Sequence, residues 1–129
     1  MGLDTTHNCW HGSYGNFKHW RMRICSALGL PPLNFMSGFY HADAPRLSKL
    51  FDIEKDSLPI KWECLKYNHL FILLSHSDCD GFILHKDCEN IANELDKLDL
   101  KDDSLNCKTK QFADGLRDAA DKKEDVEFR

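Results

Sequence analysis

Leu70-Phe71-Ile72-Leu73-Leu74 is the longest clear apolar run in the chain, and its reading decides the fold. Five consecutive apolar residues fill one buried strand, whereas helices are normally longer. The length therefore predicts a buried strand within residues 67–75, although the Leu-rich composition pulls the other way. The polar stretch behind it, His76-Ser77-Asp78-Cys79-Asp80-Gly81, must then turn the chain.

Outward from this run the pattern is helical. Ser13 is placed to cap a helix over residues 14–28, in which Phe17, Trp20, Ile24 and Leu28 recur at spacings of three and four. Gly29 and Pro31-Pro32 end it. Residues 30–44 read as loop, and Pro45 opens a short helix to about residue 53 that buries Leu47, Leu50 and Phe51. Residues 54–66 are irregular, with Ile60 and Trp62 covering the core. A helix over about 86–98 carries Ile91, Leu95 and Leu98 on one face. Residues 99–106 read as a polar loop, and a last helix over about 107–123 carries Phe112, Leu116 and Ala119-Ala120. Val126-Glu127-Phe128 alternates and is expected as an edge strand beside residues 69–75. The sum is an α+β fold, a single domain over residues 1–129 with about four helices around a very small β-sheet.

Charge is unevenly placed. The net of −4 over 129 residues belongs to the last 44, which hold 13 acids and nine bases. Residues 1–40 hold Asp4 alone against Lys18, Arg21 and Arg23, so this segment can receive an anion. The acidic tail excludes wrapping of duplex nucleic acid. No apolar stretch nears the roughly 20 residues of a membrane span. The first residues lack the basic and apolar regions of a signal peptide, so a cytoplasmic location is expected. Six cysteines without a Cys-x-x-Cys pair fit reduced thiols, with Cys25 and Cys88 packing as small apolar groups.

Two polar clusters carry the candidate chemistry. The first is His7-Asn8-Cys9-Trp10-His11-Gly12-Ser13-Tyr14 with Trp20-Arg21, at a helix start whose free N–H groups favour anions. There Ser13 and Arg21 would hold a phosphate or carboxylate, His11 would donate a hydrogen bond, and Trp10 or Tyr14 would stack on a ring. The second is residues 76–81, where His76 would donate and Asp78 and Asp80 would accept from hydroxyl or amine groups. Each residue also has a plain structural role: Ser13 as a cap, Tyr14 and Trp20 as core aromatics, Asp78 and Asp80 as turn formers. Two metal alternatives exist. Zinc could be assembled from Cys9, His11, His76 and Cys79 if the clusters meet. Calcium could use Asp78 and Asp80 around Gly81, but His76 stands where a hard oxygen ligand belongs. No cofactor is otherwise expected. Cys79 beside His76, and Cys9 beside His7 and His11, are weak nucleophile candidates, because sequence neighbours rarely converge as a triad, and no catalytic residue is assigned.

Cys9-Trp10-His11-Gly12-Ser13-Tyr14, Trp20-Arg21 and His76-Ser77-Asp78-Cys79-Asp80-Gly81 together resemble a group of small bacterial and phage proteins. The likeness extends to Gly115-Leu116-Arg117-Asp118-Ala119-Ala120 and Val126-Glu127-Phe128. It implies that both clusters are a signature, and it brings no established activity with it. In that group an acidic residue often follows the last glycine, where this chain has Phe82. The expectation is a cytosolic protein that binds a small anionic, nucleotide-like ligand in one pocket between the clusters. For a phage protein, sequestering a host signal as counter-defence is a coherent role by analogy. A small His/Asp hydrolase, with or without a metal, is the enzymatic alternative. An immunity or inhibitor-type module using Asp118, Asp121 and Glu124 is the protein-binding one, and self-association or another protein partner stays open.

Overall fold

The computed structural model describes residues 2–39 and 59–129. Four α-helices lie among them: α1 (Tyr14–Ala27), α2 (Leu70–Leu74), α3 (His85–Asp96) and α4 (Asp103–Lys122). Two antiparallel two-stranded ladders complete the fold, β1 (Gly2–Asp4) with β2 (His11–Ser13) and β3 (Phe82–Ile83) with β4 (Val126–Glu127). This is the α+β class expected. The short helix placed at 45–53 lies outside the described residues. No helix among the described residues is long and apolar enough to cross a membrane.

The decisive run folds as helix, which corrects the strand reading. Only Ile72 among its residues is of the β-branched type that favours strands, and leucine is a good helix former. Asn68 starts the helix, its side-chain oxygen accepting from Leu70 N at 2.8 Å. Leu70, Phe71, Leu73 and Leu74 are buried, so one turn puts four apolar groups into the core. With no strand there, the C-terminal segment pairs elsewhere. Val126 and Glu127 lie beside β3, and Asp4 and Arg129 exchange backbone bonds of 2.9 and 2.8 Å. The tail therefore joins the two ladders, with Thr5 bridging to Phe128.

Ser13 caps α1, its Oγ accepting from Asn16 N at 3.0 Å. The last helix begins at Asp103, earlier than the polar composition suggested, because Asp102 caps it by accepting from Leu105 N at 3.0 Å. Asp102→Ala is expected to lower unfolding free energy by about 1 kcal/mol in urea titrations, and Asp102→Asn to restore most of it. Helix α3 packs along α4, and Trp10, Phe17, Trp20, Phe112 and Phe128 form one buried aromatic cluster. Cys25 and Cys88 are buried in α1 and α3, and all six cysteines are free thiols.

Two exposed carboxylates make stability depend on acid. Asp99 accepts from Lys101 N at 2.9 Å, from the Asn106 amide at 3.0 Å and from Lys101 Nζ at 3.2 Å, which hold it down to about 2. Asp125 lies below the usual carboxylate range because it accepts from His85 N at 2.8 Å and from the His85 ring. A depressed carboxylate stabilises the fold above the ordinary Asp pKa of about 4, and that contribution is lost as pH falls through the depressed value. The urea midpoint is therefore expected to drop between about pH 4 and pH 2, less steeply in Asp99→Asn.

Candidate functional site

Arg21 is the residue on which the two clusters converge. It lies on the buried face of α1 and is 0% exposed. Its Nη1 donates to the carbonyls of Leu74 at 3.2 Å and His76 at 2.6 Å, tying α1 to the turn that follows α2. Phe17 and Phe39 lie against the guanidinium at 4.4 and 4.9 Å. Burial lowers its pKa to about 10, opposed by the nearby Asp78 carboxylate. Among the described residues Nε and Nη2 have no hydrogen-bond partner. These two nitrogens form the edge of the fork that pairs bidentately with carboxylate or phosphate.

The turn beside it is held from within. Gly81 is left-handed at φ 93°, and a side-chain carbon there would lie 3.3 Å from the His76 ring. His76 Nδ1 lies 2.8 Å from the Ser77 carbonyl and Nε2 lies 3.0 Å from the Phe82 carbonyl, while its ring packs on Phe128 at 4.1 Å. Both nitrogens thus face backbone carbonyls, and a neutral ring donates to one of them. Ser77 Oγ, rather than Asp78 or Asp80, closes the turn by accepting from Cys79 N at 3.3 Å. Asp78 is half-buried and Asp80 is exposed.

The first cluster divides. Trp10 is 2% exposed, stacked on Trp20 at 5.2 Å and edge-on to Phe17 at 5.2 Å. Its ring is core and cannot stack on a ligand, which corrects that expectation. His11 is exposed and sits between Asp4 Oδ1 at 2.9 Å and Asn8 Oδ1 at 2.8 Å, away from the Arg21 contacts. Ser13 serves as the α1 cap, and Tyr14 is half-buried against the core.

The four proposed zinc ligands do not gather. Residues 6–8 form a 3₁₀ turn with His7 and Asn8 left-handed at φ 61° and 58°, so the extended alternation assumed for residues 7, 9 and 11 is broken. Cys9 points under α4, where burial pushes its thiol up to about 12, too high for a thiolate nucleophile. Among the described residues no three His, Cys, Asp or Glu side chains are grouped so as to hold a metal ion.

A groove of about 550 Å³ escaped the reading of the sequence. His7 and Asn8 form one wall, and Cys107, Lys110, Asp114 and Asp118 of α4 form the other. His7 and Asn8 stood in the first cluster and Asp118 in the protein-binding alternative, but nothing in the sequence joined them, and Cys107, Lys110 and Asp114 were not singled out. Phe39 was also missed, since nothing local ties it to Arg21. The Phe17–Arg21 contact did have a signal, the i,i+4 spacing of a ring and a cation. No family model matches the chain, and neither a curated protein nor a solved structure matches it significantly.

Proposed function

We propose that the protein binds a small anionic, nucleotide-like ligand through the Nε–Nη2 edge of Arg21. One observation carries the reading: a fully buried guanidinium has two nitrogens without a partner. An unpaired buried donor costs about 1–3 kcal/mol, more when charged, and an oxyanion at this edge would remove that penalty. Nη1 is fixed by two carbonyls and the faces by two rings, so the free edge has one orientation. Pre-organisation of this kind favours affinity. Binding rather than turnover fits the second cluster, because both His76 nitrogens are turned to backbone carbonyls. Asp78 and Asp80 remain the residues to accept from ligand hydroxyl or amine groups. His11 is paired with Asp4 and Asn8 and is not part of the proposed site. Sequestration of a signal in the cytoplasm is the biological role this chemistry suits.

Incubation with a panel of nucleotides, re-isolation of the protein and chromatography of what it releases tests the reading. Intact nucleotide retained by the protein is the expected result. An altered product would move the assignment to the hydrolase. Retention of no anion would leave the protein-binding alternative.

A further inference from the structure

The start of α1 presents a second orphan donor, separate from Arg21. Each of the three tryptophans has one N–H. Trp20 donates to Thr109 Oγ at 2.9 Å and Trp62 to the Ser37 carbonyl at 3.0 Å. Trp10 Nε1 is buried with no partner among the described residues. Its direction is set by the packing: the ring lies against Phe17 and Trp20 of α1, and Nε1 is turned towards Gly12, just before the Ser13 cap. A side-chain carbon on Gly12 would lie 3.3 Å from Nε1, so glycine lets the backbone before the Ser13 cap pass close to the indole N–H. Helix α1 is 14 residues long with no acid in its first turn, and Ser13 Oγ takes up the amide of Asn16. Lys108 Nζ sits over the Trp10 ring at 4.7 Å, adding a positive charge from α4.

From these we infer an oxyanion-binding site at the N-terminus of α1, made by Trp10 Nε1, the first-turn amides and Lys108, with a phosphoryl or carboxylate group as its ligand. Aligned peptide dipoles favour an anion at this end, and a directional indole donor selects an oxygen acceptor over a halide. Gly12 serves by having no side chain.

Titration of ¹⁵N-labelled protein with inorganic phosphate at constant ionic strength tests it. The Trp10 indole signal and the amides of residues 12–16 are expected to move together and saturate, with the Trp20 and Trp62 indoles as internal references. Gly12→Ala sets a methyl against Nε1 and should weaken the response at least about tenfold. Lys108→Gln, which removes the charge over the Trp10 ring while keeping most of the side-chain stem, should weaken it about threefold. Arg21→Lys should leave it intact, which separates this site from the one proposed above. A Trp10 indole that does not move, or moves equally with chloride, overturns the site. A response that vanishes in Arg21→Lys while that variant keeps its unliganded spectrum would show that the phosphate sits at Arg21 instead.

Discussion

Arg21→Lys is expected to weaken binding of the retained nucleotide by about 100-fold, read by calorimetric titration. The two donors at the free edge each make a charged hydrogen bond worth about 1.5–3 kcal/mol, and losing the pair removes about 3 kcal/mol. Lysine keeps the charge and loses the planar fork, so the size of the effect separates geometry from charge. The same substitution should destabilise the fold by about 1–3 kcal/mol, because an ammonium cannot hold both carbonyls and also lie flat against the rings of Phe17 and Phe39. Arg21→Met gives the complementary measurement. It leaves the carbonyls of Leu74 and His76 without Nη1 but also removes a buried charge with two unpaired nitrogens, so its stability cost should be smaller than its binding cost. Wild-type affinity in both variants would mean that the free edge is not where the anion goes.

Gly115→Ala is expected to be the most damaging single-methyl change, lowering unfolding free energy by about 2 kcal/mol or more in urea. Helix propensity alone predicts the reverse, since alanine is better than glycine by about 1 kcal/mol in a helix interior. The clash decides the sign. A side-chain carbon at Gly115 would lie 2.6 Å from both the Cys9 sulfur and the His7 carbonyl oxygen. Neither partner can yield cheaply. Cys9 is 0% exposed, and His7 and Asn8 are held in left-handed conformations by contacts on all sides. Those contacts are His7 Nε2 to Glu124 at 3.3 Å, His7 Nδ1 to Thr6 at 3.0 Å, and Gln111 Nε2 donating to the Asn8 carbonyl at 3.1 Å. Left-handed residues other than glycine cost about 1–3 kcal/mol each and persist only where the surroundings fix them. Lifting this turn off α4 would release that strain and take Trp10, two residues on, with it. A gain in stability in Gly115→Ala would mean that the turn does not dock as closely as described.

How much was legible follows from the range of each interaction. Helix α1 could be read to within a residue because its cap, its apolar stripe and its Gly29 stop all lie in one local window. The left-handed glycine at 81 was legible for the same reason. The run 70–74 was not, because five residues are too few to show a period and the deciding atom, the Asn68 side-chain oxygen, belongs to the flanking segment. Its misreading carried the C-terminal strand to the wrong neighbour. At the site, the sequence pointed to Arg21 and to residues 76–81, and these do meet. It could not show that the contact runs through backbone carbonyls, which no side-chain pattern encodes. Trp10 was noted for its ring, whereas its distinctive feature is the unpaired N–H, visible only once the partners of all three indoles are known.

The central claim is that the Nε–Nη2 edge of Arg21 receives the anion. Its most direct test is the Arg21 Nε–H resonance in a ¹H–¹⁵N spectrum followed through a titration with inorganic pyrophosphate and with the retained nucleotide. A downfield shift of that one arginine signal, with slowed exchange against solvent at saturation, is the predicted result. Calorimetric binding with the Arg21 resonance unmoved would contradict it.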